Sequence, residues 1–244
     1  MIQSGSNTAI LFFSRSTRLE SKNKRLIESS ANHTLIRHLR NRTLNEIKKT
    51  ELPFFEFDEH DQVGDSFGER LASAFEAVFE KGFDHVISIG NDCPEIVASD
   101  LLLTTTLLHS NAVVLGPDNR GGAYLIGMNR TMFDLNTFQD LSWKSNNLVR
   151  SFKAQYGHRC DLFCLSNKFD LNHVRDIKEY AKVSKPLVKL LSTLKNRFFT
   201  LDLKLRPRSI FLIASYRRGP PCDVLVTLQN TLLFMRYCWT QYVK

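Results

Sequence analysis

Short apolar runs alternate with amphipathic stretches along most of this 244-residue chain. Residues 8–14 read as a buried first strand. Residues 26–49 are mostly helical, with Leu35, Ile36, Leu39, Leu44 and Ile47 on one face. A second strand is expected at 53–57. After a loop at 64–68, in which Asp65 or Ser66 stands as a cap, a helix is predicted over 69–81. Its stripe is Leu71, Ala74, Phe75, Val78 and Phe79, and Gly82 ends it. Strands at 86–89 and 112–115 flank a helix at 99–109 with Ser99 as its expected cap. A strand at 123–128, a helix at 145–156, a strand at 161–165 and a helix at 173–182 complete the series. Strands alternating with helices argue for an α/β fold, with a mainly parallel sheet covered on both faces. The connection from Gly116 to Gly122 is too short for a crossover helix. The strand it feeds is therefore either antiparallel to its neighbour or displaced in the sheet.

The pattern changes after residue 182. Val183, Leu187, Leu190, Leu191 and Leu194 form a helical stripe, and Phe199, Leu201, Leu203 and Leu205 then alternate with polar residues. Gly219-Pro220-Pro221 breaks the chain before an apolar end at 224–239. We divide the chain into an α/β domain at 1–183 and a basic C-terminal extension at 184–244. Between Lys182 and Arg218 stand ten Lys/Arg and one acid, Asp202, a net charge of +9 against +8 for the whole chain. The basic character thus belongs to the extension. Together with Phe198, Phe199 and Tyr216 it allows contact with nucleic acid or an anionic membrane surface; a basic tail docked on its own domain is the preferred reading.

Composition narrows the classes further. Five cysteines, Cys93, Cys160, Cys164, Cys222 and Cys238, show no zinc or redox spacing and suit a reducing compartment. The apolar run at 9–13 is too short for a signal peptide, and no stretch approaches 18 apolar residues, so a cytoplasmic protein without a transmembrane segment is expected. P-loop, GxGxxG and GxSxG fingerprints are missing, which removes the commonest ATPase, dehydrogenase and hydrolase readings.

Candidate chemistry gathers at two junctions where apolar runs end in Gly, Asp, Asn and Pro: 85–94 and 112–127. Ligands of open α/β sheets bind beyond the carboxyl ends of the strands. Asp92 lies just past the first run, where a carboxylate suits Mg²⁺ or Mn²⁺; alternatively it caps the helix that follows. In the loop Gly116-Pro117-Asp118-Asn119-Arg120-Gly121-Gly122 the glycines let backbone N–H groups form an anion nest, and Arg120 adds a cation; alternatively this is a tight connection needing positive φ. Asp170 follows a strand and precedes a helix, within reach of the same metal or serving, like Asn172, as a cap. Trp143 either stacks on a ring or belongs to the core. Arg15, Arg18, Lys22, Lys24 and Arg25, five basic residues in eleven, suit a di- or triphosphate or a solvated loop.

Taken in order, these segments resemble a known family. The matching residues are Gly68-Glu69-Arg70-Leu71 with Ala74-Phe75, Ile89-Gly90-Asn91-Asp92-Cys93-Pro94, and Leu115-Gly116-Pro117 with Gly121-Gly122-Ala123-Tyr124-Leu125-Ile126-Gly127. Trp143 and Asp170-Leu171-Asn172 with Asp176-Ile177 follow. The order is similar to that of the bacterial glycosyltransferase-like, or nucleotide-diphospho-sugar transferase, group, which is related to the guanylyltransferases of molybdenum-cofactor and phospholactate metabolism. The resemblance covers roughly residues 8–182. It implies a Rossmann-like GT-A fold and a metal-dependent transferase. The donor would be a nucleoside triphosphate or nucleotide sugar, the acceptor is left open, and Mg²⁺ or Mn²⁺ would lie on Asp92 with Asp170 in support. The donor would be oriented by Arg15, Lys22, Lys24, Arg25, Asn91, Gly116, Pro117, Asp118, Arg120, Gly121, Gly122 and Trp143. Four positions depart from the family pattern: Arg120 stands for an acid, Glu20 for a glycine, Asn23 for a lysine and Asn172 for an aspartate, with Lys22 or Lys24 left to compensate for Asn23. Arg120, Asn23 and Asn172 support the alternative of a catalytically inactive protein of the same fold that binds a nucleotide, sugar or partner protein.

Overall fold

The first strand, β1 (Thr8–Phe13), consists almost entirely of side chains that avoid water, and its odd and even members face opposite ways. Ala9 and Leu11 enter one core, while Ile10 and Phe12 enter another. In the computed structural model of the protein, residues 7–27, 31–108 and 112–198 are described. They lie within the first of two compact units, Met1–Leu201; the second, Asp202–Lys244, lies outside the described residues. So do the alternating pattern at 199–205, the Gly-Pro-Pro break and the apolar end.

The elements after β1 are α1 (Thr17–Asn23), α2 (Asn32–Lys48), β2 (Phe54–Phe57), α3 (Phe67–Glu80), β3 (His85–Ile89), α4 (Ala98–Leu108), β4 (Val113–Pro117), β5 (Ala123–Asn129), α5 (Leu135–Gln139), α6 (Leu148–Tyr156), β6 (Leu162–Cys164), α7 (Val174–Ala181) and α8 (Lys185–Phe198). The strands form one six-stranded sheet in the order β2-β1-β3-β5-β4-β6. Pairs β1–β2, β1–β3 and β4–β6 are parallel. Strand β5 runs antiparallel to both β3 and β4 and lies between them, so the short 116–122 connection produces reversal and displacement together.

Helices cover both faces. On one face, α3, α5 and α6 close over Ala9, Leu11, Val86, Val113, Leu115, Ile126 and Met128. On the other, Ile10, Phe12, Ile87, Ile89, Val114 and Leu125 meet Ile47 of α2 and Leu101 and Leu108 of α4. Helix α3 forms for the reasons its sequence gives. Ser66 accepts a hydrogen bond from the Glu69 amide, and Glu69 accepts from the Ser66 amide, a reciprocal capping box. Each large apolar side chain of its stripe contributes about 1.5–3 kcal/mol on burial. A third cluster joins Leu35, Ile36 and Leu39 of α2 to Ile177 and Tyr180 of α7 and to Leu187 and Leu194 of α8. Several elements differ from expectation. The basic segment after β1 contains a helix, α1, and a further short helix, α5, follows β5. Helix α2 begins at Asn32 rather than at 26, and α6 at Leu148 rather than at 145. Helix α4 begins at Ala98, so Ser99 lies within it instead of capping it. Among the described residues, no helix is long and apolar enough to cross a membrane.

Candidate functional site

Parallel strands β1 and β3 end side by side, and the chain beyond each supplies charge to the same region. After β1, Ser16 caps α1 by accepting from the Leu19 amide. Ser16 is itself held by Glu59, whose carboxylate accepts from the Ser16 hydroxyl at 2.5 Å and from its amide at 2.6 Å. Burial works against that carboxylate's charge, but these two bonds hold its pKa down at about 2. At the far end of α1 the buried amide of Asn32 holds the turn. It accepts from the amides of Leu26 and Ile27 and donates to the carbonyls of Ser21 and Lys24.

Lys24 is thereby fixed facing inward, with 9% of its side chain exposed. Its ammonium lies 2.5 Å from Asp92 Oδ1 and 3.8 Å from Glu20 Oε1. These separations are those of ion pairs; no hydrogen bond of good angular geometry reaches the ammonium. Of the two lysines left to compensate for Asn23, the structure turns Lys24 inward and leaves Lys22 exposed, along with Arg25. Arg15 stands 3.7 Å from Glu20. Burial, then the neighbouring Asp92, push the Glu20 carboxyl above its ordinary range. Glu20 was not among the candidate residues, although its i,i+4 spacing to Lys24 is a readable signal.

Asp92 and Asp170 come together from two loops. The Leu171 amide donates to the Asp92 carbonyl at 2.9 Å, tying the segment before α7 to the segment after β3. The Asp170 carboxyl is raised to about 7, first by burial and next by the charge of Asp92; Lys24 and a 2.7 Å bond from the Asn172 amide group oppose the rise. Two carboxylates brought to one region are hard-oxygen donors of the kind that Mg²⁺ and Mn²⁺ take. Among the described residues, no group of three or more His, Cys, Asp or Glu side chains is arranged to hold a metal. Asn91, beside Asp92, is buried.

The glycine-rich loop is organised from within. Asp118, itself buried, accepts from the amides of Arg120 at 2.7 Å and Gly122 at 2.8 Å, so these N–H groups turn toward it rather than outward as a nest would have them. Arg120 reaches across to α7. It forms two 3.1 Å bonds to the Asp176 carboxylate and donates to the Asp170 carbonyl at 2.8 Å. Asp176 also accepts from the amides of Asn172 and His173, closing the N-terminus of α7. Arg120 therefore latches the loop to the Asp170 segment, with a partner 56 residues away that spacing cannot reveal.

Gly116 and Pro117 belong to β4, and a side chain at Gly116 would meet the Tyr124 ring at 2.5 Å. Gly121 has φ +87° and lies against the Asn146 carbonyl, 2.1 Å from where a Cβ would stand. Gly121→Ala should accordingly lower stability by about 1–3 kcal/mol in a urea titration, from strain and clash together. Trp143 is partly buried against the core: its ring packs on Phe67, Phe138 and Phe152, and its indole N–H donates to the Phe138 carbonyl at 2.9 Å.

Residues 41–145 match the family model described as "Uncharacterized protein conserved in bacteria (DUF2064)". No curated protein matches the chain. A crystal structure from Desulfovibrio desulfuricans G20, named a "putative nucleotide-diphospho-sugar transferase", is 19% identical with a TM-score of 0.62, covering 79% of this chain and 98% of that one. Looser likeness extends to a manganese complex of Rv0371C from Mycobacterium tuberculosis H37Rv (9% identity, 72% and 99% coverage, TM-score 0.47). It also extends to a nucleotidyl transferase from Methanothermobacter thermautotroptrophicus (12% identity, 75% and 98% coverage, TM-score 0.44). Residues 41–145 thus carry the likeness to the DUF2064 model, and the chain shares the α/β fold of the Desulfovibrio desulfuricans structure.

Proposed function

We infer that the protein is a metal-dependent transferase whose donor is a nucleoside triphosphate or a nucleotide sugar. The observation that carries this reading is the meeting of Asp92 and Asp170 beside the buried Lys24 ammonium, beyond the ends of β1 and β3. In this reading Asp92 and Asp170 hold Mg²⁺ or Mn²⁺, and Lys24, with Arg15 at the rim, orients the donor's phosphates. The metal, when bound, neutralises charge developing on the leaving phosphate. Arg120 and Asp118 act at one remove, by fixing the loops that carry Asp170 and the glycines.

A second reading is a catalytically inactive protein of this fold that binds a nucleotide, sugar or protein partner. It is favoured by the commitment of Arg120 to Asp176, at the position where the resemblance implies an acid. One experiment separates the two: thermal-shift binding of a panel of nucleoside triphosphates and nucleotide diphosphate sugars, with and without Mn²⁺, on wild type and Asp92→Ala. A ligand at a hundred times its Kd adds about 2.7 kcal/mol, or about 5–10 °C in Tm for a domain of this size. The transferase reading expects a Mn²⁺-dependent shift for one donor, abolished in Asp92→Ala. A shift that is indifferent to both metal and substitution establishes the second reading, and no shift across the panel removes the nucleotide from both.

A further inference from the structure

We propose that Lys24 is the resident cation of this site, and that a divalent metal reaches Asp92 only by displacing it. The proposal rests on the reading of Asp92 as a metal ligand, but not on turnover or on any particular donor.

Three observations carry it. Lys24 Nζ lies 2.5 Å from Asp92 Oδ1, and a magnesium ion bound to that oxygen would itself sit about 2.0–2.1 Å away. An ammonium and a dication on one carboxylate repel each other strongly in a partly buried site, where screening is weak, so each opposes the other's hold on Asp92. The lysine is also built in rather than loosely draped. Its ammonium is buried, and the turn that presents it is clamped by the four hydrogen bonds of Asn32. Finally, a second carboxylate waits for it. Glu20 Oε1, one helical turn back, is 3.8 Å from the same ammonium, so Lys24 can leave Asp92 for Glu20 without becoming a bare buried charge.

Lysine and metal thus alternate on Asp92, with Glu20 holding the lysine when the metal is present. A phosphate that draws Lys24 away from Asp92 would clear the same oxygen. Metal and phosphate should therefore favour one another's binding, each by the same factor. Without phosphate, the wild-type protein should hold Mn²⁺ weakly despite its two carboxylates. The departure of Glu20 from the family's glycine then acquires a purpose, since a glycine has no side chain to receive the lysine.

The test is a Mn²⁺ titration of the full chain at pH 7.5, followed by the electron paramagnetic resonance signal of free Mn²⁺, with no nucleotide present. Lys24→Met should bind Mn²⁺ at least tenfold more tightly than wild type, and Lys24→Met/Asp92→Asn should lose that gain. Lys24→Arg, which keeps the cation, should stay near wild type. Unchanged or weaker binding by Lys24→Met overturns the proposal, as does a gain in Lys24→Arg equal to that in Lys24→Met. Should Lys24→Met lack a cooperative melting transition, Lys24→Gln is read against the same tenfold threshold. The two proposals fail separately. A donor panel that is silent for every variant, with Mn²⁺ binding gained in Lys24→Met, removes the transferase and leaves the lysine switch standing. The converse result removes the switch alone.

Discussion

Asp170→Asn should stabilise the ligand-free protein by about 2–4 kcal/mol at pH 8 and change little at pH 4. The cause is the raised Asp170 carboxyl, at about 7 in the folded protein against an ordinary 3.8. An acid with a higher pKa when folded binds its proton more tightly in the folded state. Its contribution to stability is fully present below the unfolded value and is lost as pH rises through the folded one. Wild-type stability should therefore decline between about pH 4 and pH 7 on account of this group, and the asparagine variant should lack that component of the slope. The magnitude is set below the full shift because Asp170 retains some solvent exposure. Urea titrations of both proteins at pH 4, 6 and 8 measure it, and parallel curves would refute the assignment. Added Mn²⁺ together with a phosphate-bearing donor should narrow the gap at pH 8 by stabilising the wild type more than the variant, which is the signature of a carboxylate kept for a ligand at the expense of the fold.

The second large effect lies in packing. Phe75 of α3 is fully buried, with the rings of Phe138 at 5.0 Å, Phe133 at 5.9 Å and Phe79 at 6.1 Å. Phe75→Ala removes the shared member of these contacts and leaves a cavity between α3 and α5 that fixed backbones cannot close. A loss of about 3–5 kcal/mol is expected, or about 6–20 °C in Tm. Val63→Ala, at a residue 70% exposed, should stay within about 0.5 kcal/mol and serves as the control. A Phe75→Ala protein melting within 2–3 °C of wild type would show that this cluster does not anchor the helical layer.

Elements whose causes are local were legible. Helix α3 announces itself by a cap, a stripe and a terminating glycine within sixteen positions, and the reversal of β5 follows from the length of the loop before it. Helix α1 was hidden because Thr17–Asn23 offers only Leu19 as an apolar residue. Its start depends on Ser16 held by Glu59, 43 positions away. The site divides along the same line. Asp92, Asp170 and the glycine loop could be placed beyond strand ends from the alternation of elements. The pairings of Lys24 with Asp92 and of Arg120 with Asp176 could not, because each joins loops that only the finished sheet brings together. A charged residue in a loop carries no periodicity to say which way it points. Lys24 and Lys22 are indistinguishable in sequence, yet one is buried and the other exposed.

The reversed strand also bears on how the sheet comes into being. Of its five pairings, β4–β5 alone is closed by a tight turn, between Pro117 and Ala123. A hairpin of this kind can form in microseconds, before any distant segment has been found. The other four join strands separated by helices or long connections, and the pairing of Thr8 with His85 spans most of the first hundred residues. Each of these must bear the entropy of closing a long loop before its contacts reward it. The connectivity thus favours a local seed in the middle of the sheet, with the β1–β3 pairing, which spans the longest stretch of chain, expected late. That pairing is also the one that sets Lys24 beside Asp92, so the charged site is expected to be completed late, after the local parts of the sheet are in place.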